Sequence, residues 1–524
     1  MRIHALAPLL ACLAGCGSST PAPPDPIDEP DPDLTAAARA GWRQQVIYLL
    51  LTDRFRDGDP NNNNATGCYD PANPRAFHGG DLEGVRQHLD YVRDVGATAI
   101  WITPPNRQAG NTGSCGYHGY WIDYTDPADD ALQPELGTPE ALDRLASDLH
   151  GAGMRLVLDM VVNHSGQTAR LLQQHADWFH APATCSTLGP PQVFCQIFDL
   201  PDLAQERTAV AAYLSALQAR AAARYAVDAI RMDTVKHVLS TYFRDSFFPA
   251  VRAARPGAFV VGEVFEQGSL AAAVPYLDAG FDSVFHFPLY AALVEAVARD
   301  GSVDRIAEAI ADGIARVGAA RALDLVLFVD NHDVPRFASL FGGSVPQDEI
   351  RRRLLLALDL IFTLPGIPQL YYGDELGMLG AADPDNRRDL PAWAGDPAER
   401  AQPHPGSAIA GSAEIYARVQ QLSSLRRSTP ALADGGYREL LRQRFATSPN
   451  VLAFARGHGA DQRIVVIASA RSSSAVRFPV HDLAEGTVLV DELGDGAPER
   501  VEIVGSRLSV ELPARSAAIY RVAP

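Results

Sequence analysis

The chain has 524 residues, of which 47% are hydrophobic and 21% charged, a composition that is typical of folded globular proteins and excludes a disordered or collagen-like chain. Its 45 basic and 63 acidic residues give a formal net charge of −18, which makes nucleic acid and anionic membrane surfaces poor partners. A neutral substrate or bound cations suit this charge better.

The N-terminus has the features of an export signal. Arg2 precedes an apolar stretch at residues 3–13, and the stretch ends in Leu13-Ala14-Gly15-Cys16. This ending resembles the processing site of bacterial lipoproteins, which implies a signal at 1–16, a lipid on Cys16 and anchorage to the bacterial cell envelope or surface. An ordinary secretory signal, and hence an extracellular protein, is the alternative. Residues 17–40 begin with a Pro/Ser/Asp-rich segment that buries too little apolar surface to fold, so we expect a disordered tether.

Four cysteines remain after the signal, at Cys68, Cys115, Cys185 and Cys195, and an exported chain meets oxidising conditions in which disulfides form. Four cysteines allow three pairings. Proximity along the chain favours Cys185 with Cys195, which leaves Cys68 with Cys115. A zinc site is the alternative, but no C-x-x-C or histidine-rich spacing supports it.

From residue 41 onward, short aliphatic runs alternate with helical stretches, a pattern typical of βα units around a parallel sheet. Predicted helices between the runs include 138–151, 205–225 and 302–319. Because the runs number eight, we expect a (β/α)8 barrel. The predicted strands are at residues 46–51, 98–103, 155–162, 227–233, 258–263, 282–287, 325–330 and 367–372.

Two regions depart from this alternation. Residues 165–200 show little periodicity, so we expect an inserted subdomain B at 165–202 between barrel parts at 41–164 and 203–432. A last barrel helix is predicted at about 413–427. From about residue 435, short alternating runs separated by Gly, Ser and Asp turns predict a C-terminal antiparallel β-sandwich at 433–524.

Polar residues cluster where four of the predicted strands end, the place at which barrel enzymes carry their active sites. Each cluster carries at least one carboxylate, and three of the four also carry a histidine. The four clusters are Asp159-Met-Val-Val-Asn163-His164, Arg231-Met-Asp233-Thr-Val-Lys236-His237, Gly262-Glu263 and Asp330-Asn331-His332-Asp333.

In order and spacing these clusters resemble the four motifs of the α-amylase family of glycoside hydrolases, over about residues 41–524. The resemblance implies retaining hydrolysis of internal α-1,4-glucosidic bonds in starch, glycogen or maltodextrins through a glycosyl-enzyme intermediate. It makes Asp233 the nucleophile, Glu263 the acid/base and Asp333 a stabiliser of the oxocarbenium-like transition state. Arg231 lies two residues before Asp233 on one strand, so the two side chains share a face and the cation favours ionised Asp233.

The resemblance also implies a set of sugar-contacting residues. A packed core histidine is the alternative for the histidines of this set, and a surface ion pair is the alternative for Asp383 with Arg387. The set comprises His118, Tyr120, His164, Arg231, Lys236, His237, His332, Asp383 and Arg387.

One or two calcium sites are implied as well. The first would use Asn163, Asp202 and the backbone carbonyl of His237; calcium takes six to eight oxygens, so carbonyls or waters must supply the others. The second resembles a loop after the first strand of cyclodextrin glucanotransferases, where Asp and Asn oxygens on a turn-prone segment can surround a hard cation. A solvated turn is the alternative there. The residues of the second site are Asp57, Asp59, Asn62, Asn63, Gly79 and Asp81.

The sequence leaves specificity within the family open. Lys236 and His237 resemble residues of α-amylases and cyclodextrin glucanotransferases, and the latter carry further β-domains, whereas this chain stops at Pro524. An endo-acting α-amylase is therefore the leading interpretation. Residues 383–393 also resemble maltooligosaccharide-degrading enzymes, so a cyclomaltodextrinase or neopullulanase, or a maltodextrin-specific glucosidase or transglycosylase, stays open.

The non-enzyme alternative is a surface glucan-binding lipoprotein without turnover. All three family carboxylates are present, which favours an enzyme. The expected partner is an α-glucan, with membrane contact only through Cys16, no nucleic-acid partner and a monomeric chain.

Overall fold

The computed structural model describes residues 32–110, 114–124, 131–443 and 450–523. Residues 1–31 lie outside this part of the chain, so the signal, the lipid on Cys16 and the first part of the tether stay predictions. Within it, eight strands match the eight predicted runs. They are β1 (Ile47–Leu50), β2 (Ala99–Ile102), β3 (Arg155–Met160), β4 (Ala229–Met232), β5 (Phe259–Gly262), β6 (Ser283–Val284), β7 (Val326–Leu327) and β8 (Ile367–Tyr371).

These strands form one parallel sheet in the order β6-β5-β4-β3-β2-β1-β8-β7. A parallel bridge between Phe285 and Val326 joins β6 to β7 and closes the sheet into a barrel. The strands are aliphatic and almost wholly buried, because side chains fill the barrel and helices cover its outside. The predicted (β/α)8 barrel is confirmed.

The helices lie mainly between the strands and on the outside of the barrel, as βα units require. The long predicted helices are present with ends within three residues of those expected. The α-helices are α1 (Pro32–Arg43), α2 (Thr52–Phe55), α3 (Leu82–Gln87), α4 (Leu89–Val95), α5 (Pro139–Gly151), α6 (Arg170–Gln174), α7 (Pro191–Phe194), α8 (Thr208–Arg224), α9 (Ser240–Tyr242), α10 (Phe248–Ala254), α11 (Val274–Ala279), α12 (Phe287–Leu293), α13 (Asp304–Val317), α14 (Ala319–Ala322), α15 (Gln347–Thr363), α16 (Pro397–Arg400), α17 (Ser412–Ser428) and α18 (Pro430–Ala433).

Helix α1 corrects one prediction. It begins at Pro32, so the expected disordered tether at 17–40 is wrong for residues 32–40. Its alanine-rich sequence favours a helix, and its last turn packs on the barrel. Trp42 stacks on Phe259 at a ring-centroid distance of 5.2 Å, and Arg43 Nε lies 2.6 Å from the Asp324 carboxylate.

Two disulfides join loops on the carboxyl-terminal side of the barrel. They link Cys68 to Cys115 and Cys185 to Cys195, which confirms the favoured pairing. The first connects the loop after β1 to the loop after β2, and the second closes the irregular insertion between β3 and β4. Among the described residues no helix is both long and apolar enough to cross a membrane.

The C-terminal region is antiparallel, as predicted. A six-stranded sheet and a two-stranded sheet enclose a second core that includes Phe478, Val510 and Tyr520. The strands are β9 (Tyr437–Gln443), β10 (Val451–Arg456), β11 (Arg463–Ala468), β12 (Ser474–Pro479), β13 (Val488–Asp491), β14 (Arg500–Glu502), β15 (Arg507–Leu512) and β16 (Ser516–Val522). The large sheet has the order β14-β13-β16-β11-β10-β9, and β12 pairs with β15.

Candidate active site

Adjacent barrel strands bring four ionisable side chains together where β3, β4 and β5 end. Asp159 on β3 lies beside Arg231 on β4 in the strand register. Asp233 follows β4 two residues after Arg231, and Glu263 follows β5. Since side chains alternate along a strand, Arg231 and Asp233 point to the same side. These four residues, here called the floor, are all buried.

The Arg231 guanidinium is the centre of the floor. Its Nη1 lies 2.7 Å from Asp233 Oδ1 and 3.0 Å from Asp159 Oδ1. Its Nη2 lies 3.1 Å from Glu263 Oε1. One buried cation therefore binds two of the three carboxylates that the sequence predicts to be catalytic, Asp233 and Glu263, and places them side by side.

Glu263 is suited to hold a proton. Burial raises the pKa of Glu263 to about 8; Arg231 opposes this rise, and the charges of Asp233 and Asp333 add to it. The backbone N–H of Thr234 donates to Glu263 Oε2 at 2.8 Å and fixes the carboxyl group. A carboxyl group that stays neutral near pH 7 can act as a general acid.

Asp333 lies at the open side of the floor, with 31% of its side chain exposed. Arg387 Nη2 donates to Asp333 Oδ1 at 3.2 Å, and Arg387 Nη1 lies 3.1 Å from Asp383. Although burial alone would raise the pKa of Asp333, His332, Arg387 and Arg231 hold it below its usual value. The arrangement keeps an anion facing the cleft.

Three of the four predicted sugar-contacting histidines, His118, His164 and His332, are buried and neutral. Burial lowers the pKa of His332 to about 3, and it also lowers the pKa of His118 and His164. Tyr120 stacks on His332 at 5.2 Å with nearly parallel rings. Both ring nitrogens of His332 are buried and form no hydrogen bond with the described part of the chain, and Nε2 lies 3.3 Å from the Asp333 carboxylate at the open side of the floor.

Two predicted sugar contacts are instead bound to protein in this structure. Lys236 Nζ donates to the carbonyl of Phe265, and His237 Nδ1 lies 2.7 Å from the carbonyl of Gln192 in the insertion. Both residues follow β4 close to Asp233, and each side chain is held by a backbone carbonyl.

Sequence reasoning misses two site residues. Asp159 completes the floor, and its place at the start of the first motif is the signal that could have found it. Arg75 lies 3.7 Å from Asp383 and is half exposed; it stands on the loop that the Cys68–Cys115 disulfide fixes. Nothing in the local sequence indicates this contact, because the two residues are far apart in the chain.

The residues of the second calcium candidate lie close together, and the Asp59 backbone N–H donates to Asp81 Oδ2 at 2.8 Å. Asn63 Nδ2 donates to Asp57 at 2.7 Å, and Asn62 Nδ2 donates to Asp81 at 3.1 Å. The buried Oδ1 atoms of Asn62 and Asn63 have no hydrogen-bond partner within the described ranges. Turning both amides about their last bond aims these oxygens at the carboxylates, as a shared cation requires. The Asp59 side chain accepts from Asn61 through Oδ1, and its place in the predicted set stays a prediction.

Gly79 packs closely against this group, since a Cβ there would lie 2.7 Å from Asn63 Nδ2. Its positive φ of 98° also favours glycine. The donor set and the close packing fit a hard cation.

The first calcium candidate fits less well. The buried Oδ1 of Asn163 lacks a partner in the described chain, which suits a cation. The Asp202 carboxylate, however, binds His180 Nδ1 at 2.7 Å, and both side chains are almost wholly buried. Among the described residues no three His, Cys, Asp or Glu side chains cluster so as to hold a metal. Calcium here would depend on carbonyl oxygens and water.

Comparisons with known proteins agree with this geometry. The family model described as "Alpha amylase, catalytic domain" matches residues 49–185 and 192–404. A "Beta/alpha-amylase" of Paenibacillus polymyxa is 29% identical over 497 residues, covering 91% of this chain but only 38% of that protein. The chain thus spans well under half of that relative's length.

Two solved structures extend the likeness to the whole fold. An Anoxybacillus α-amylase is 29% identical with a TM-score of 0.77, covering 92% of this chain and 98% of that one. CldA, described as "the first cyclomaltodextrin glucanotransferase with a three-domain ABC distribution", is 25% identical with a TM-score of 0.76 and is covered over 99% of its chain. A three-domain arrangement therefore does not by itself separate an amylase from such a transferase.

Proposed function

The chain belongs to the α-amylase family of glycoside hydrolases, and we propose that it is a retaining hydrolase of internal α-1,4-glucosidic bonds in starch, glycogen or maltodextrins. The observation that carries this proposal is the shared cation. Arg231 holds Asp233 at 2.7 Å and Glu263 at 3.1 Å, beside an exposed Asp333. A retaining glycosidase needs this pair of neighbouring carboxyl groups, one ionised and one protonated.

In the proposed first step, Glu263 gives its proton to the glycosidic oxygen while Asp233 attacks the anomeric carbon. The glycosidic C–O bond breaks, and a covalent glycosyl-enzyme forms on Asp233. In the second step Glu263 takes a proton from water, whose oxygen displaces Asp233 from the anomeric carbon. The ring nitrogens of His332 and the carboxylate of Asp333 hold the hydroxyls of the reacting sugar.

The deciding experiment is the time course of product sizes when the purified chain acts on amylose in the presence of calcium. A spread of maltooligosaccharides at early times is the expected result. Glucose or maltose alone from the start would assign an exo-enzyme or a maltodextrin specialist. A flat trace with retained amylose binding would make the chain a glucan-binding protein without turnover.

A second candidate, a transglycosylase that forms cyclic products, is favoured by one side chain. Phe198 is 90% exposed and has a positive φ of 51°. It lies in the insertion between β3 and β4 and precedes Asp199, whose carbonyl accepts from Gln167 at 3.3 Å. An exposed aromatic ring buries little apolar surface on folding and so adds little to stability. It offers a flat apolar surface to a bending glucan chain.

The Phe198→Gly variant tests this candidate. If cyclic products form, their share of all products should fall in the variant, while hydrolysis of maltotriose stays near that of the unmodified chain. Leu188→Gly is a matched control, because Leu188 is a 53% exposed apolar residue of the same insertion. An equal loss of cyclic products in both variants would remove the role of the ring.

Calcium is proposed at the second candidate site, held by Asp57, Asn62, Asn63, Asp81 and the carbonyl of Gly79. The ion would supply positive charge that joins the loop after β1 to α3, and no chemical step passes through it. The melting temperature should fall on chelation and recover with added calcium. The Asp57→Asn variant should lose most of this response; a full response would contradict the site.

Export and lipidation at Cys16 are proposed on the sequence alone. In a bacterial host the full chain should take up labelled fatty acid and fractionate with membranes. The Cys16→Ser variant should lose the label. An unlabelled, freely secreted unmodified chain would favour the ordinary secretory signal.

A further inference from the structure

Beneath the nucleophile lies a carboxylate that the proposed reaction does not use. Asp159 is 1% exposed, so its side chain lies below the surface that a sugar can reach. It nevertheless accepts hydrogen bonds from three neighbours. Tyr120 Oη donates at 2.7 Å, Trp101 Nε1 at 3.0 Å and Arg231 Nη1 at 3.0 Å.

Every neighbour that touches this carboxylate is a donor. The arginine and indole N–H groups cannot accept a hydrogen bond, so among these three partners only the Tyr120 hydroxyl could accept a proton held by Asp159. Burial raises the pKa of Asp159 to about 7, while Arg231 and the Tyr120 hydroxyl oppose this rise. The geometry is therefore built for the ionised form.

The contacts of Asp159 lead directly to the reacting groups. Arg231 Nη1 is shared between Asp159 and Asp233, and Arg231 Nη2 binds Glu263. The Tyr120 ring, held through its hydroxyl, stacks on His332. Moving Asp159 would thus move both the cation and the aromatic surface at the cleavage site.

We propose that Asp159 is a positioning residue: it fixes the Arg231 guanidinium so that the cation is divided between Asp233 and Glu263, and it orients the Tyr120 ring. When the negative charge of Asp159 is removed, the positive charge of Arg231 is less compensated. Arg231 then binds Asp233 and Glu263 more strongly. Both effects weaken catalysis, because the nucleophile becomes less basic and the acid loses its proton at lower pH.

The test is the Asp159→Asn variant of the full chain, assayed on maltoheptaose across pH. We expect kcat to fall about tenfold or more, with KM within about threefold. The high-pH limit of activity should move down by about half a pH unit. The charged groups facing Glu263 are Arg231 and Asp233 at the end of β4 and Asp333 from the loop after β7, and all three are kept.

A matched control separates positioning from stability. Asp359 is as deeply buried as Asp159 and pairs with Arg418 at 2.9 Å, far from the floor on α15. Asp359→Asn should lower the melting temperature and leave kcat and both pH limits unchanged. If Asp159→Asn folds and shows only a lower melting temperature, with kcat and both pH limits unchanged, Asp159 has a structural role alone and the proposal fails.

A second variant decides the matter if Asp159→Asn does not fold. Trp101→Phe removes one donor to Asp159 but keeps an aromatic ring. The pKa of Asp159 should then rise, and the low-pH limit of activity should move upward. The groups facing Asp159 are Arg231, Asp233 and the Tyr120 hydroxyl, all retained in this variant. An unmoved low-pH limit would overturn the proposal.

This inference rests on the proposed glucan hydrolase activity, and the two can fail separately. If the unmodified chain cleaves no α-1,4-glucan, the proposed function fails before any variant is compared. If the unmodified chain is active and the variants keep their pH limits and kcat, only the role of Asp159 fails.

Discussion

The floor of the site and its outer wall are held in different ways. The floor consists of Asp159, Arg231, Asp233 and Glu263 from three hydrogen-bonded neighbouring strands, all buried. The outer wall consists of Arg75, His78, Asp383 and Asp389, from the loops after β1 and β8. Its ion pairs are half exposed: Arg75 and Asp383 are exposed by 48% and 41%.

The difference predicts that the floor carries the reaction and that the wall influences the choice of substrate. The floor is fixed by strand register, and its charges act in a dry environment where they are strong. The wall is fixed by long-range links, the Cys68–Cys115 disulfide and the His78–Asp389 contact at 2.7 Å. Exposed pairs are worth little each. We therefore expect floor changes to lower turnover on every substrate, and wall changes to affect mainly the longer chains.

The largest effect should come from the reacting carboxyl groups. Asp233→Asn or Glu263→Gln should lower kcat by about a thousandfold or more, because the nucleophile or the acid is lost. The melting temperature should stay near that of the unmodified chain, since amides keep the shape. The exposed Glu266, three residues after Glu263, gives the control Glu266→Gln, which should stay active. Near-normal turnover in either floor variant would make the role assignment wrong.

The pH profile tests the floor without mutation. The pKa of Glu263 is raised to about 8, and the acid works only when protonated. Activity should therefore persist below pH 8 and fall above it, about tenfold per pH unit. Initial rates on maltoheptaose between pH 5 and 10, with folding checked by circular dichroism, measure this limit. A high-pH limit near 5 would mean that Glu263 has an ordinary pKa.

Opening the disulfide of the wall should have the next largest effect. It closes a loop of 47 residues, against 10 for Cys185–Cys195. The chain-entropy estimate gives about 4 kcal/mol for the longer loop and about 3 kcal/mol for the shorter. Replacing Cys68 and Cys115 by serine should therefore lower the melting temperature more than replacing Cys185 and Cys195.

The activity of the same variant sharpens the comparison. In the Cys68→Ser, Cys115→Ser chain, kcat/KM on maltoheptaose should fall more than kcat/KM on maltotriose. Equal losses on both substrates would mean that the disulfide supports the floor as well as the wall.

The smallest effect should come from a single wall contact. Arg75→Gln removes a half-exposed cation near Asp383, and exposed pairs contribute at most about 1 kcal/mol. The KM for maltoheptaose should rise about two- to fivefold, with kcat unchanged. Arg93→Gln removes a similarly exposed arginine, which pairs with Asp90 on α4, and should change neither constant. A fall in kcat for Arg75→Gln would place Arg75 with the floor.

The residues of the floor can be predicted from the sequence more readily than those of the wall. Arg231 and Asp233 share a strand, so their common face follows from a spacing of two. Asp159 stands in a recognisable motif, yet its partners Trp101 and Tyr120 lie 58 and 39 residues away. Helix α1 shows a different kind of error. Composition predicts a disordered tether, whereas packing on the barrel makes residues 32–40 part of a helix.

The sequence by itself determines the barrel, the C-terminal antiparallel region, the disulfide pairing favoured by proximity and the residues of the four motifs. These features depend on local periodicity and short spacings, which follow directly from the order of residues in the chain. Only the tertiary structure shows that one guanidinium contacts three carboxylates, that His332 is buried and neutral beside Asp333, and that Arg75 lies near Asp383. Burial and contacts across the fold decide these properties, because charge and hydrogen bonding depend on which distant residues exclude water from each group.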